Sequence, residues 1–163
     1  MMKFCNRCAG ALSEEIPEGD NRIRYVCQQC GHIYYRNPKV IVGCIPVWEE
    51  KILLCKRNIE PRLGLWTIPA GFLELGETMP EGAKRETFEE SMAEVEITDH
   101  FGIYDIPHIG QIYSIYLARM LSNKFSTTPE SSEVSLFHPA DIPWDQIAFE
   151  VIQTTLREYL DQA

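Results

Sequence analysis

Two apolar runs, VIVGCIPVW (Val40 to Trp48) and ILLCKR (Ile52 to Arg57), flank the polar triplet Glu49, Glu50 and Lys51. Strand-length runs around so short a polar break predict a β-hairpin whose arms adjoin in one sheet. Further on, LWTIPAGFLELGE predicts a strand that leads into a helix. Thr78 followed three residues later by Glu81 is a capping box, and Pro80 falls in the first turn, where a missing N–H costs nothing. Beyond that helix, VEI (Val95 to Ile97), FGIYDI (Phe101 to Ile106) and QIYSIYLARML (Gln111 to Leu121) predict three strands, with Pro107, His108 and Gly110 breaking the chain before the last. A mobile loop is expected over Ser122 to Ser132 and a short strand at VSLF (Val134 to Phe137). At the C-terminal end Ile147, Val151, Thr155 and Tyr159, with Ile152, Leu156 and Leu160, recur at helical spacing and make one broad apolar face. This helix should cover the side of the sheet opposite the first helix. The class is therefore α/β, an α/β/α sandwich on a mixed sheet.

The first 36 residues follow another pattern. Ile23, Tyr25, Ile33 and Tyr35 alternate as short strands would, but the segment AGALSEEIPEGDNRIRYV is too polar to build a core. Cys5 and Cys8 form one CxxC and Cys27 and Cys30 a second, 18 residues apart. Four soft thiolates in two knuckles suit tetrahedral Zn²⁺, and with all four positions filled the site should be structural. A surface redox dithiol would need only one CxxC. The expected organisation is a zinc ribbon over 1–36 and a catalytic domain over 37–163, with the boundary at Arg36, Asn37 and Pro38. Cys44 and Cys55, alone in apolar strands, read as buried thiols.

Composition narrows the function. The 163 residues are 45% hydrophobic, enough for a real core, and carry a net charge of −9 with a pI near 4.9. That charge argues against tight sequence-independent nucleic-acid binding, which needs phosphate-neutralising Lys and Arg. No apolar run reaches the roughly 18 residues of a membrane span, and MMKFCNRC lacks a signal-peptide core, so a cytoplasmic protein without a membrane partner is expected.

Glu86, Glu89 and Glu90 share one face of the first helix at i, i+3 and i+4. Like charges at that spacing cost a few tenths of a kcal/mol each, and Arg85 offsets only part of the cluster through Glu89. Either the face is simply solvated or it waits for a hard cation with oxygen ligands, Mg²⁺ or Mn²⁺.

The spacing decides between these. Gly71, five residues, Glu77, seven residues, then Arg85, Glu86, Thr87, Phe88, Glu89 and Glu90 resembles the box of the Nudix hydrolases, with Met92 in place of the usual glycine and Thr87 in place of an aliphatic residue. The resemblance implies a catalytic set of Glu77, Arg85, Glu86, Glu89 and Glu90. It further implies that Glu86, Glu89 and Glu90 bind Mg²⁺ or Mn²⁺, completed by the Gly71 carbonyl and by Glu133, which fits better than Glu130. Glu86 is the candidate base, and Arg85 holds Glu89 or Glu77 in place. Arg57 is either a phosphate contact or surface charge, and His108 either a substrate contact or a solvated loop histidine; Gln111 joins them as a candidate contact.

Two ribbon-bearing groups of the family share the layout. The signature of the NADH pyrophosphatases downstream of the box is absent here, whereas KFCNRC, LLCKRNIEP, LWTIPAGFLE, DIPHIGQIY and PESSE resemble plant chloroplast FAD pyrophosphohydrolases. The implied reaction is Mg²⁺-dependent cleavage of FAD or a related ADP-containing dinucleotide, releasing AMP, and FMN when FAD is cut. ADP-ribose or NADH is the alternative substrate, and the family resemblance leans toward a homodimer. A reading of another class is a non-catalytic nucleotide or nucleic-acid binding module that uses the ribbon.

Overall fold

The computed structural model describes residues 2–162, so the outer ends of both expected domains, Met1 and Ala163, lie outside the described residues. The chain forms two compact units, Met1–Pro38 and Lys39–Ala163.

The first unit is a three-stranded antiparallel sheet in the order β1 (Leu12–Glu15), β2 (Arg24–Cys27), β3 (Ile33–Tyr34). β1 adds a strand at LSEE, inside the segment the sequence marks as too polar to build a core. Its backbone pairs with β2 from Leu12↔Cys27 to Glu15↔Arg24, because an edge strand is held by main-chain hydrogen bonds and needs no apolar side chains. Buried apolar groups here are few: Cys5, Tyr25, Val26 and Cys27. So small a core does not hold such a unit without a further tie.

The second unit is built on β4 (Lys39–Trp48). With β5 (Lys51–Arg57) it makes the expected hairpin, and with β8 (Val95–Ile106), β9 (Gln111–Met120) and β10 (Ser131–Phe137) the sheet runs β10-β5-β4-β9-β8, with β6 (Trp66–Thr67) on β5 and β7 (Ala70–Phe72) on β4. β4 and β9 (Gln111–Met120) are parallel and the other pairings antiparallel, so the sheet is mixed. Period-two alternation divides two cores. Ile41, Ile45, Ile52, Leu54, Tyr113 and Ile115 pack with Ile152 and Leu156 of α2 (Glu150–Gln162), while Val42, Cys44, Leu53, Cys55, Tyr116 and Ala118 pack with Ala83 of α1 (Met79–Ser91). The two helices thus cover opposite faces, the α/β/α sandwich the sequence predicts. Among the described residues, no helix is long and apolar enough to cross a membrane.

Three boundaries differ from expectation. VEI and FGIYDI belong to one strand, β8 (Val95–Ile106), interrupted by register shifts at Ile97/Asp99 and His100/Gly102. Extra residues at those shifts break the alternation and make one bent strand look like two. β10 starts at Ser131 rather than Val134 and so takes in Glu133. Ile147 precedes α2, buried after a short 3-10 turn and bridged to Trp66.

Candidate active site

α1 starts as its sequence directs: the Glu81 carboxylate accepts both the Thr78 N–H at 2.8 Å and the Thr78 hydroxyl at 2.7 Å. Its glutamates then divide. Glu90 is 6% exposed, and its Oε2 accepts the Ala70 N–H at 3.1 Å. Burial pushes its pKa up to about 8, aided by the charges of Glu86 and Glu130 and opposed by the Ala70 N–H and Arg57. Glu86 is raised too, by burial, against the pull of Arg85 at 2.7 Å. Glu89 is more than half exposed and does not line the cleft described below.

Arg85 does more than face Glu89. Its Nε and Nη2 grip the two oxygens of Glu77 at 2.9 and 2.7 Å, Nη1 reaches Glu86 at 2.7 Å and Glu89 at 3.0 Å, and Nη2 donates to the Phe72 carbonyl at 3.1 Å. This fork holds Glu77 down at about 2 and ties α1 to β7. Two glycines make room. A β-carbon on Gly71 would collide with the Glu86 carboxylate, and one on Gly82 would stand 2.6 Å from Glu77 Oε1. The first has a place in the box spacing; the second carries no signal in a single sequence, because its reason is the approach of a side chain from outside the helix.

A cleft of about 900 Å³ opens over Gly71, Glu86 and Glu90 and extends to the β8–β9 turn and the start of α2. Arg57, His108 and Gln111 all line it. The Arg57 Nε donates to the Pro61 carbonyl at 2.8 Å, and its guanidinium lies 5.2 Å from the centre of the Phe149 ring. Glu133 is elsewhere: in β10, half exposed, its carboxylate 3.2 Å from Lys56 Nζ and absent from the cleft wall. Glu130 lines the cleft instead. The sequence preference for Glu133 followed from starting the strand at Val134; with β10 beginning at Ser131, the residue just ahead of the strand is Glu130. Among the described residues lining the cleft, Glu60, Glu86, Glu90, Asp105, Glu130 and Glu150 face a single permanent cation, Arg57. Glu60, Asp105, Glu150 and Phe149 had no signal in the sequence, since the topology alone brings their segments together.

Among the described residues, the His, Cys, Asp and Glu side chains gathered closely enough for one ion are Cys5, Cys8, Cys27 and Cys30, whose sulfurs all lie within 4.8 Å of one another. Cys5 and Cys30 are 3.8 Å apart and Cys8 and Cys27 3.5 Å, close to the ~3.8 Å edge of a tetrahedron with Zn–S bonds of about 2.3 Å. Backbone N–H groups of Arg7 and Cys30 point at Cys5 and Cys27 sulfurs at 3.3 and 3.4 Å. The donor set fits zinc. The cleft carboxylates are spread apart, yet their hard oxygens, and the raised affinity of Glu86 and Glu90 for protons, fit a hard divalent cation.

With this geometry, the chain belongs to the Nudix hydrolase family. The NUDIX domain family matches residues 37–155, and the family described as Nudix N-terminal, a zinc ribbon, matches residues 3–36. Over 99% of this chain and 92% of the other, it is 52% identical to a NUDIX hydrolase from Nitrosomonas europaea of known crystal structure, with a TM-score of 0.96. It is 30% identical to an ADP-ribose pyrophosphatase from Methanocaldococcus jannaschii over 71% of this chain and 70% of that protein. It is 29% identical to the NAD-capped RNA hydrolase NudC of Photobacterium profundum over 94% of this chain but 58% of that protein. The match thus spans no more than 58% of the length of these NudC relatives. Nudix enzymes use Mg²⁺ or Mn²⁺, and the ribbon is of the kind that holds structural zinc.

Proposed function

We propose that this protein is a Mg²⁺- or Mn²⁺-dependent hydrolase that cuts the diphosphate of an ADP-containing compound of the NAD, ADP-ribose or FAD kind and releases AMP. The observation that carries this reading is the make-up of the cleft wall: six carboxyl groups against one guanidinium, acidic even with Glu90 protonated. A diphosphate would be repelled from such walls without added positive charge. Divalent cations, when bound, supply that charge and the activation of a water.

The chain's own residues have separable tasks. Glu86, Glu90 and Glu130 offer the oxygens that hold the cation, with Glu89 at the open side and the Gly71 carbonyl beside them. Arg57 has its Nε tied to Pro61, which leaves both terminal nitrogens to grip phosphate oxygens bidentately. Glu86 takes the proton of the attacking water. The water oxygen bonds to one phosphorus, the bridging P–O bond breaks, and its electron pair leaves with the other phosphate. Arg85 keeps Glu77, Glu86 and Glu89 in their rotamers.

FAD is the finer reading, resting on the likeness in DIPHIGQIY and PESSE; ADP-ribose is supported by the ADP-ribose pyrophosphatase relative, and an NAD-type diphosphate such as NADH by the likeness to an NAD-capped RNA hydrolase. About 900 Å³ lies toward the upper end of the roughly 300–1,000 Å³ span of small-molecule sites, room enough for a dinucleotide. Ile103, Ile106, Pro107 and Ile109 give the end at the β8–β9 turn an apolar lining for a planar ring. Incubating the protein with Mg²⁺ and FAD, NADH, ADP-ribose or CoA in parallel, with products identified, tests both levels. AMP with FMN as the fastest pair of products supports FAD. No product from any of the four overturns the hydrolase reading.

A further inference from the structure

The four ribbon sulfurs are not equivalent. Tyr34, in β3, places its hydroxyl 3.1 Å from Cys5 Sγ, while the same oxygen accepts the Asn6 N–H at 2.8 Å and lies 2.5 Å from the Asn6 side-chain oxygen position. A phenol has one proton to give. The oxygen and nitrogen of an amide are alike in shape, and a thiolate is a charged acceptor that draws the stronger hydrogen bond. The consistent assignment sends the Tyr34 proton to Cys5 and turns the Asn6 NH₂ toward the phenol oxygen.

The ring is also pinned. His32 meets it edge-on with centroids 4.5 Å apart, and the His32 Nδ1 is 3.2 Å from Arg7 Nη1. Arg7 adds its backbone N–H to the same Cys5 sulfur at 3.3 Å. Cys5 is buried and carries both donors, whereas Cys30 is exposed and, among the described hydrogen bonds, meets only another cysteine sulfur.

From this asymmetry we infer that Tyr34 is a positioning residue for the ribbon's zinc: its hydroxyl draws charge from the Cys5 thiolate and so slows the loss of the metal. Zinc leaves a thiolate site when a sulfur takes up a proton or is captured by a competitor, and both steps need electron density on sulfur. A hydrogen bond from outside removes some of that density and fixes the direction of the lone pairs. Loss of such a partner typically costs about 10–100-fold in metal affinity. The inference is independent of the hydrolase reading.

The test uses the full zinc-loaded chain as wild type, Tyr34→Phe, Asn6→Ala and the neighbouring control Tyr35→Phe. Zinc release to the chromogenic chelator 4-(2-pyridylazo)resorcinol should be about tenfold faster in Tyr34→Phe and unchanged in Tyr35→Phe. After Co²⁺ substitution, the sulfur-to-cobalt charge-transfer band should move to lower energy in Tyr34→Phe, because a more electron-rich sulfur gives up its electron more readily. Asn6→Ala keeps the ring and removes only the amide's support of the phenol, so it should move both readouts the same way by less; it carries the test if Tyr34→Phe does not fold. Unchanged release, an unmoved band, or equal acceleration by Tyr35→Phe would overturn the assignment.

Discussion

The ribbon cysteines and the cleft carboxylates are both sets of potential metal ligands, but they are prepared in opposite ways. In the ribbon the four sulfurs already converge within 4.8 Å, supported by main-chain N–H donors. In the cleft, Glu86 turns to Arg85, Glu90 to the Ala70 N–H, and Glu89 out to solvent. The first arrangement leaves no ligand position for substrate; the second leaves charge unbalanced at the wall of an open cleft. Closure suits a metal that helps the chain fold, and imbalance suits a metal that meets substrate.

The largest test of that contrast is metal removal. A strong chelator at neutral pH should strip the ribbon of a tie worth about 10–16 kcal/mol in small zinc domains. Hydrogen exchange should then show the amides of β1, β2 and β3 losing protection while those of β4, β5 and β9 keep theirs. Retained protection in the ribbon of metal-free protein would mean that its small core suffices, and the contrast would fail.

Next in size is Glu90→Gln. It keeps the volume and the acceptor for the Ala70 N–H but removes the charge, so turnover at saturating Mg²⁺ should fall below a tenth of wild type while the thermal midpoint stays level or rises. A variant that loses stability along with activity would make Glu90 a structural residue, and the two sites would no longer differ in kind.

A pH series measures the same imbalance without mutation. Glu90 rises from 4.5 to about 8 on folding because it is buried. Between those values the folded chain holds a proton that the unfolded chain releases, so stability falls as pH rises, by about a few kcal/mol over the whole window in metal-free protein. Chelator-treated wild type should therefore lose urea resistance from pH 5 to pH 8, and Glu90→Gln should lose less. Equal slopes would show that the carboxylate is hydrated in solution.

How far the sequence reached follows from what kind of cause placed each residue. Thr78, Glu81, Glu86, Glu89 and Glu90 lie on one helix, where spacing alone fixes the face, and the four cysteines announce themselves by paired spacing. Both sandwich cores were legible because β4 and β5 carry unbroken apolar runs, so that both faces need cover, and α2 repeats its apolar positions at helical spacing. That Glu130 and not Glu133 lines the cleft is hard to read from the sequence, because Ser131, Ser132 and Glu133 look like loop while Ser131 and Glu133 pair with Arg57 and Lys56 through the backbone. β8 was split for a related reason: bulges break side-chain alternation without ending the strand. Glu60, Asp105, Phe149 and Glu150 come from three separate segments, and nothing in a linear pattern brings these together.

The smallest expected effect lies at the end of α1, where the sequence departs from its family. Met92 closes the helix with φ of 56°, in the left-handed region, and its N–H reaches the Phe88 carbonyl at 2.7 Å. A side chain with a β-carbon meets its following carbonyl there at a cost of roughly 1–2 kcal/mol, which glycine does not bear. Met92 is about half exposed, so little packing is forfeited when it is cut back. Glycine is also freer in the unfolded chain, which takes back part of the gain. Met92→Gly should thus raise stability by about 0.5–1 kcal/mol in urea titrations of the metal-loaded protein, with kcat unchanged. No gain would mean that the methionine side chain contributes packing equal to its strain, and a fall in kcat would mean that the helix end, two residues beyond Glu90, helps to set the carboxylate at the cleft wall.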